Sequence, residues 1–187
     1  MITIDGGTGK ITHNNNEISL ASGTITHNGV EIASDKMHDQ WRLDADVSVT
    51  DAVITGWVRP TESGSGAYLT GMSHSSGVFT FPKTGIYRID YKAGFYKSDD
   101  RRWIGAVMKL STNSGGSFGD LQRSYTMIKD IDANSSFATA ITTHHVDVQD
   151  ASTYRIRFEV QANGAVTVYG ANDDVRTTVL FNRIAST

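Results

Sequence analysis

Residues 77–95 read Gly-Val-Phe-Thr-Phe-Pro-Lys-Thr-Gly-Ile-Tyr-Arg-Ile-Asp-Tyr-Lys-Ala-Gly-Phe. From Tyr87 onward, Tyr87, Ile89, Tyr91, Ala93 and Phe95 share one parity, and Arg88, Asp90 and Lys92 share the other. A period of two is the pattern of a strand buried on one face. Pro82 and Gly85, both turn formers, precede it. The stretch therefore predicts a strand carrying Phe79 into a core, a tight connection, and a long amphipathic strand opened by Tyr87.

The same alternation recurs on either side. Phe79 and Phe81 alternate with Val78 and Thr80. Ile104, Ala106, Met108 and Leu110 alternate next and run into the turn Asn113-Ser114-Gly115-Gly116. Later, Tyr154, Ile156, Phe158 and Val160 are expected inward, with Arg155, Arg157, Glu159 and Gln161 outward. Asn163-Gly164 then predicts a hairpin turning the chain into Val166 and Val168. Val179 and Phe181 suggest a closing strand. No stretch keeps helical periodicity over ten residues. Many short strands joined by polar turns predict an all-β chain built as a sandwich or jelly roll.

The first 36 residues follow a different rule. Gly9-Lys-Ile-Thr-His-Asn-Asn-Asn-Glu-Ile18 is repeated as Gly23-Thr-Ile-Thr-His-Asn-Gly-Val-Glu-Ile32, with seven of ten positions identical at an offset of 14. Each copy reads as strand, turn (Asn14-Asn15 or Asn28-Gly29) and strand, because both dipeptides accept the positive φ of tight hairpins. Two such hairpins bury too little to stand alone. They need the main domain, another protein, or copies of themselves around an axis. Residues 1–36 are thus expected to form an arm for attachment or trimerisation, carried by Ile11, His13, Ile18, Ile25, His27 and Ile32. Residues 37–187 are expected to form the head.

Composition narrows the function classes. The chain has 187 residues, 39% hydrophobic and 20% charged, which suits one compact domain with an extension. A formal charge of −3 gives no overall pull toward nucleic acid or an anionic membrane. With no cysteine, disulfides, thiolate metal sites and thiol catalysis are excluded. No apolar run approaches the ~20 residues of a membrane span. The opening Met-Ile-Thr-Ile-Asp-Gly-Gly lacks the basic start and apolar core of a secretory signal, so the expectation is a chain made in the cytoplasm and released by lysis.

The segment Gly77-x-Phe79-x-x-Pro82-x-x-Gly85-x-Tyr87 is similar to the signature of C1q and tumour-necrosis-factor-like domains. Lys109 to Gly115 also resembles that family's next strand and turn, and the likeness runs from about Trp41 to Ala185. It departs where Gln149-Asp150 replaces a Gly-Asp pair, where Leu180 to Ala185 replaces a Phe-x-Gly-Phe ending, and in the longer spacing between Tyr68 and Gly77. In this it looks more like the versions carried by bacteriophages and bacteria. The resemblance implies a C1q/TNF-like jelly roll, usually a tight homotrimer. Some members bind calcium, but no matching ligand set is found here.

Chemistry-bearing motifs are sparse. His13 and His27 share one repeat position, where a threefold axis would bring imidazoles together; the plainer reading is hydrogen bonding at a turn. His144 and His145 are adjacent and point to opposite faces of a strand. Asp130-Ile-Asp132-Ala-Asn134 opens like a calcium loop, yet Ser135 and Ile141 stand where such a loop needs glycine and glutamate. Asp99-Asp100-Arg101-Arg102 and Asp173-Asp174-Val-Arg176 read as solvated turns. No Gly-x-Ser-x-Gly, His-Glu-x-x-His or phosphate-binding glycine loop occurs.

The expectation is therefore a non-enzymatic, cofactor-free structural protein of a bacteriophage virion. It would be a homotrimeric capsid decoration protein or short head fibre, held to a major capsid or tail protein through residues 1–36. The competing expectation is a tail-fibre head that recognises a host cell-surface glycan or protein, with Trp103 and Phe118 as candidate exposed aromatics.

Overall fold

The computed structural model describes residues 2–5, 10–13, 16–21, 24–27, 30–31, 37–61, 67–68, 70–131 and 134–187. All regular structure among them is β. Five strands form one antiparallel sheet in chain order: β1 (Ile2–Asp5), β2 (Lys10–His13), β3 (Asn16–Ala21), β4 (Thr24–His27) and β5 (Val30–Glu31). The two expected hairpins are thus parts of a single meander. Ile32 lies outside the described residues, as do the turn residues 14–15 and 28–29.

The remaining strands belong to a separate 12-stranded antiparallel sheet. They are β6 (Met37–Leu43), β7 (Val47–Val53), β8 (Trp57–Val58), β9 (Ala67–Tyr68), β10 (Ser73–Ser75), β11 (Val78–Thr80), β12 (Gly85–Lys97), β13 (Arg101–Ser111), β14 (Gly119–Ile128), β15 (Ser136–Val148), β16 (Arg155–Val168) and β17 (Thr178–Ala185). This sheet curls into two walls. One is ordered β10-β11-β16-β13-β14; the other runs β6-β17-β12-β15, with β8 and β9 on the outer side of β6. β17, expected to close the fold, is central: it pairs with β6 on one side and β12 on the other.

β16 joins the walls and corrects the sequence reading. Asn163-Gly164 does not turn the chain back on itself, and β16 runs unbroken through them. Its first half pairs with β11 and β13, whereas Thr167 and Val168 pair with Tyr96 and Phe95 of β12. Val166 and Val168 lie opposite Val49 and Val47 of β7, and the register shifts between Gln161 and Val166. Asn-Gly here serves a bulge, which needs the same backbone freedom as a turn. Trp103 N–H donates to Asn163 Oδ1 at 3.0 Å, and the Arg101 guanidinium donates to Ala165 O, fixing the corner.

The signature residues organise the junction of the walls. Phe79 is fully buried on β11 and meets Trp41, Phe158 and Phe181 at ring-centroid distances of 5.5, 5.6 and 5.2 Å. Gly77 has φ +80°, and a Cβ there would stand 2.3 Å from Ile54 O. Gly85 has φ +140°, with the Arg183 side chain and Ala185 O packed where a Cβ would go. Tyr87 stacks edge-on to Phe81 at 4.9 Å and donates its hydroxyl to Lys83 O at 2.8 Å. Burial raises the Tyr87 hydroxyl above the ordinary tyrosine range, opposed by the nearby Arg183 and the bond to Lys83. Pro82 is partly buried in the connection these contacts hold. Each signature position is therefore a packing or backbone requirement of the fold.

A buried carboxylate ties the edge of the second wall. Asp39 accepts two bonds from Arg59 at 2.9 and 3.0 Å, one from Trp41 Nε1 at 3.0 Å and one from Met72 N at 2.6 Å. Glu159, expected outward, has the outward parity yet is covered. Lys109 Nζ lies 3.1 Å away and Arg157 Nη2 2.6 Å away. In contrast, the buried Tyr91 hydroxyl and its register neighbour Thr142 Oγ1 have no hydrogen-bond partner.

Two substitutions test this packing by chemical denaturation. Phe79→Ala, which empties the wall junction, is expected to cost about 3–5 kcal/mol. Tyr91→Phe removes an unsatisfied buried hydroxyl and is expected to stabilise by about 1 kcal/mol. A loss on Tyr91→Phe would show that the hydroxyl has a partner after all.

Candidate interaction surface

The 13-residue ladder between β12 and β15 builds the outer face of the second wall. Its outward rows are set by register: Arg88 opposite His145, Asp90 opposite Thr143, Lys92 opposite Ile141, Gly94 opposite Thr139, and Tyr96 opposite Phe137. One end is polar. Arg88 pairs with Asp90 at 3.2 Å, and Thr143 donates to Asp90 at 2.6 Å. The other end is apolar and open: Ile141 is 59% exposed and Phe137 64%.

Phe137 belongs to an aromatic triad. Its ring lies 5.7 Å from Tyr96 and 5.5 Å from Tyr169, which are themselves 5.2 Å apart. The Arg176 guanidinium covers the Tyr169 ring at 4.1 Å. Beside the triad lies a groove of about 430 Å³ along Lys92, Gly94, Thr139, Asp174 and Arg176. Gly94 keeps its floor low. Gly94 N donates to Thr177 Oγ1 at 3.0 Å, and Tyr169 N donates back to Gly94 O at 2.8 Å. The loop over the groove is pinned from below. Arg42 donates to Ala171 O and Asn172 O, and Gly170 N donates to Asp46 Oδ1 at 2.8 Å. Tyr96 donates to Asp46 Oδ2 at 2.7 Å. That bond to a carboxylate holds the Tyr96 hydroxyl above the ordinary tyrosine range.

β14 and β15 run beside each other where the two walls meet at one flank, without pairing. β14 adds Tyr125, 49% exposed, and Met127, 68% exposed. The Tyr125 ring covers Gly105, where a Cβ would stand 2.6 Å from Cε1, and is edge-on to Trp103 at 5.9 Å. Trp103 is only partly buried and, with Arg102 and Met127, lines a second shallow hollow. Phe118, the other aromatic considered for recognition, lies under the Arg157 guanidinium at 4.1 Å. This apolar flank had no motif to announce it. The only signal was the large residues Phe137 and Ile141 on the polar parity of β15.

On the smaller sheet, Ile11 stands opposite Ile18, and Ile18 opposite His27. These three residues are exposed, Ile11 by 45% and Ile18 by 43%. His13 and Ile25 are on the described backbone of β2 and β4, but their side chains lie outside the described residues. Of the calcium-like stretch, Asp132 is outside the described residues; Asp130 N donates to Asp100, which also takes a bond from Lys129. Those bonds depress the Asp100 carboxyl, the one from Lys129 most. Among the described residues, no three His, Asp or Glu side chains converge as a metal site.

Solved structures resemble this architecture closely. Eiger TNF from S. frugiperda superposes with a TM-score of 0.61 at 13% identity, covering 81% of this chain and 94% of its own. Murine APRIL at pH 5.0 gives 0.59 at 14% identity, covering 80% of this chain and all of its own, and at pH 8.5 gives 0.57. The fold is a TNF-like jelly roll. No protein-family model and no curated protein sequence matches the chain. The likeness thus lies in the fold, at identities too low to carry activity or partner.

An ultraviolet titration checks the Tyr96–Asp46 bond. Tyr96 is expected to ionise above the ordinary tyrosine value of about 10, and Asp46→Asn to bring it down. Because the folded value is raised, the bond stabilises fully below the unfolded value. Its contribution is lost as pH rises through the folded one. Identical titrations of the two proteins would refute the bond.

Proposed function

We propose that this chain is a non-enzymatic structural protein of a bacteriophage virion, a homotrimeric capsid decoration protein or short head fibre. Residues 1–36 attach it to a major capsid or tail protein, and the jelly roll forms the head. The observation that carries this reading is the pairing of a TNF-like jelly roll bearing an open apolar flank with a repeat sheet that exposes Ile11 and Ile18. Neither surface suits a solitary chain, because large apolar patches rimmed by polar groups mark association sites. The flank of Tyr125, Met127, Phe137 and Ile141 serves the homotrimer. A cyclic assembly buries such surface with no further partner. The sheet of residues 1–36 serves attachment, and the assembled particle leaves the cell by lysis. No cofactor, nucleic acid or membrane is needed for this role.

A second reading is favoured by Trp103, Tyr125 and Arg102. They form a preorganised aromatic shelf with a cation beside it on the outside of the head, suited to a host cell-surface glycan or protein. Both readings draw on Tyr125, so on this surface they are alternatives: a ring buried between subunits is closed to a host ligand.

The test uses particles purified from the lysate in which the chain is made. Immunoblotting is expected to find the full chain in the particle band and to lose it when residues 1–36 are deleted. Absence of the full chain from the particles would overturn the proposal. For the flank, Phe137→Lys combined with Ile141→Lys is expected to weaken self-association more than tenfold in sedimentation. The β spectrum of the head should be retained, because both side chains are more than half exposed on the single chain, while the melting temperature falls with the lost association.

A further inference from the structure

The five-stranded sheet has two unlike faces. Register places Ile4, Ile11, Ile18 and His27 in one cross-strand row, and Leu20 opposite Ile25 in the next row of the same parity. No residue of that parity carries a formal charge; Asp5, Lys10, Glu17 and Glu31 all fall on the alternate rows. The face is uncharged and mainly aliphatic, interrupted by His13, Asn16 and His27, and is open to water at Ile11, Ile18 and His27.

Size decides what can cover it. Five strands about 4.8 Å apart and about four residues long present a face of roughly 300 Å². Packing two such faces removes roughly 600 Å² from water, well below the ~1,200 Å² of a stable stand-alone interface. A free partner protein would therefore bind this face weakly. A tethered copy would not face that limit. The chain between Glu31 and Met37 reaches at most about 20 Å. Once three heads associate, their three sheets are held together at an effective concentration of the order of millimolar.

We infer that the apolar face of each five-stranded sheet packs against the equivalent faces of two other copies, closing a three-sided prism about the axis of the trimer. The inference rests on the trimer reading and deepens it. The repeat builds a threefold stem, and its charged rows and strand edges are what remain for the particle.

The chain has no cysteine, so single thiols report position directly. Ile18→Cys and, independently, Ile11→Cys place one on the apolar rows; Ser19→Cys places one on the alternate rows. Whole chains are treated with a short bis-maleimide, and the mass of each sample is read by light scattering. Covalent dimers are expected several-fold more abundant from both isoleucine positions than from Ser19→Cys, with masses near three chains throughout. Trimeric mass with no excess from the isoleucine positions would overturn the prism while leaving the trimer intact. Monomeric mass would overturn the trimer and the prism with it.

Discussion

Phe79 sits where the two walls of the jelly roll close on each other, and its contacts hold the fold together. Its ring reaches Trp41 on β6, Phe158 on β16 and Phe181 on β17 within 5.6 Å. The rest of the signature serves that placement. Gly77 lets β11 approach Ile54 closely, and Gly85 lets β12 start against β17. Tyr87 and Phe81 lock the connection between β11 and β12. Because β12 is anchored at this end, its outward rows and those of β15 are held in one register for 13 residues. The position of Phe137 beside Tyr96 and Tyr169 follows from a contact at the opposite end of the strand.

The surface divides sharply. At one end of the second wall, Arg88, Asp90 and Thr143 satisfy one another and face water. At the other, Phe137 and Ile141 have no polar cover, and Met127 and Tyr125 continue the apolar character round the flank. Full burial of one such side chain is worth about 1.5–3 kcal/mol. In the proposed homotrimer, four of them on each of three subunits offset the translational, rotational and side-chain entropy that association costs. The small N-terminal sheet lacks that margin, so in the same proposal its association depends on the head.

The head was largely legible because strand period and burial coincide. Tyr87, Ile89, Tyr91, Ala93 and Phe95 are all fully buried, as their alternation implies. The signature read correctly because each of its residues answers a local backbone or packing demand. Asn163-Gly164 misled because a bulge and a hairpin both favour a glycine free to take positive φ, and only the partner strand distinguishes them. Glu159 misled because its cover comes from Lys109 and Arg157, a neighbour across the sheet and one along its own strand. The apolar flank left only a faint trace in the sequence. Phe137 and Ile141 occupy the solvent parity of a strand whose inward parity mixes Ala138, Ala140, Val146 and Val148 with the polar Thr142 and His144, so the alternation there is blurred. The groove over Gly94 depends on a loop folded back from residues 169–177, a contact no local pattern encodes.

The central claim is that this jelly roll is one third of a particle-bound assembly. The most direct measurement is the mass of the whole chain in solution by light scattering at micromolar concentration. The account predicts about three times 20.3 kDa. A stable 20.3 kDa species at that concentration, with its apolar flank left in water, would contradict it.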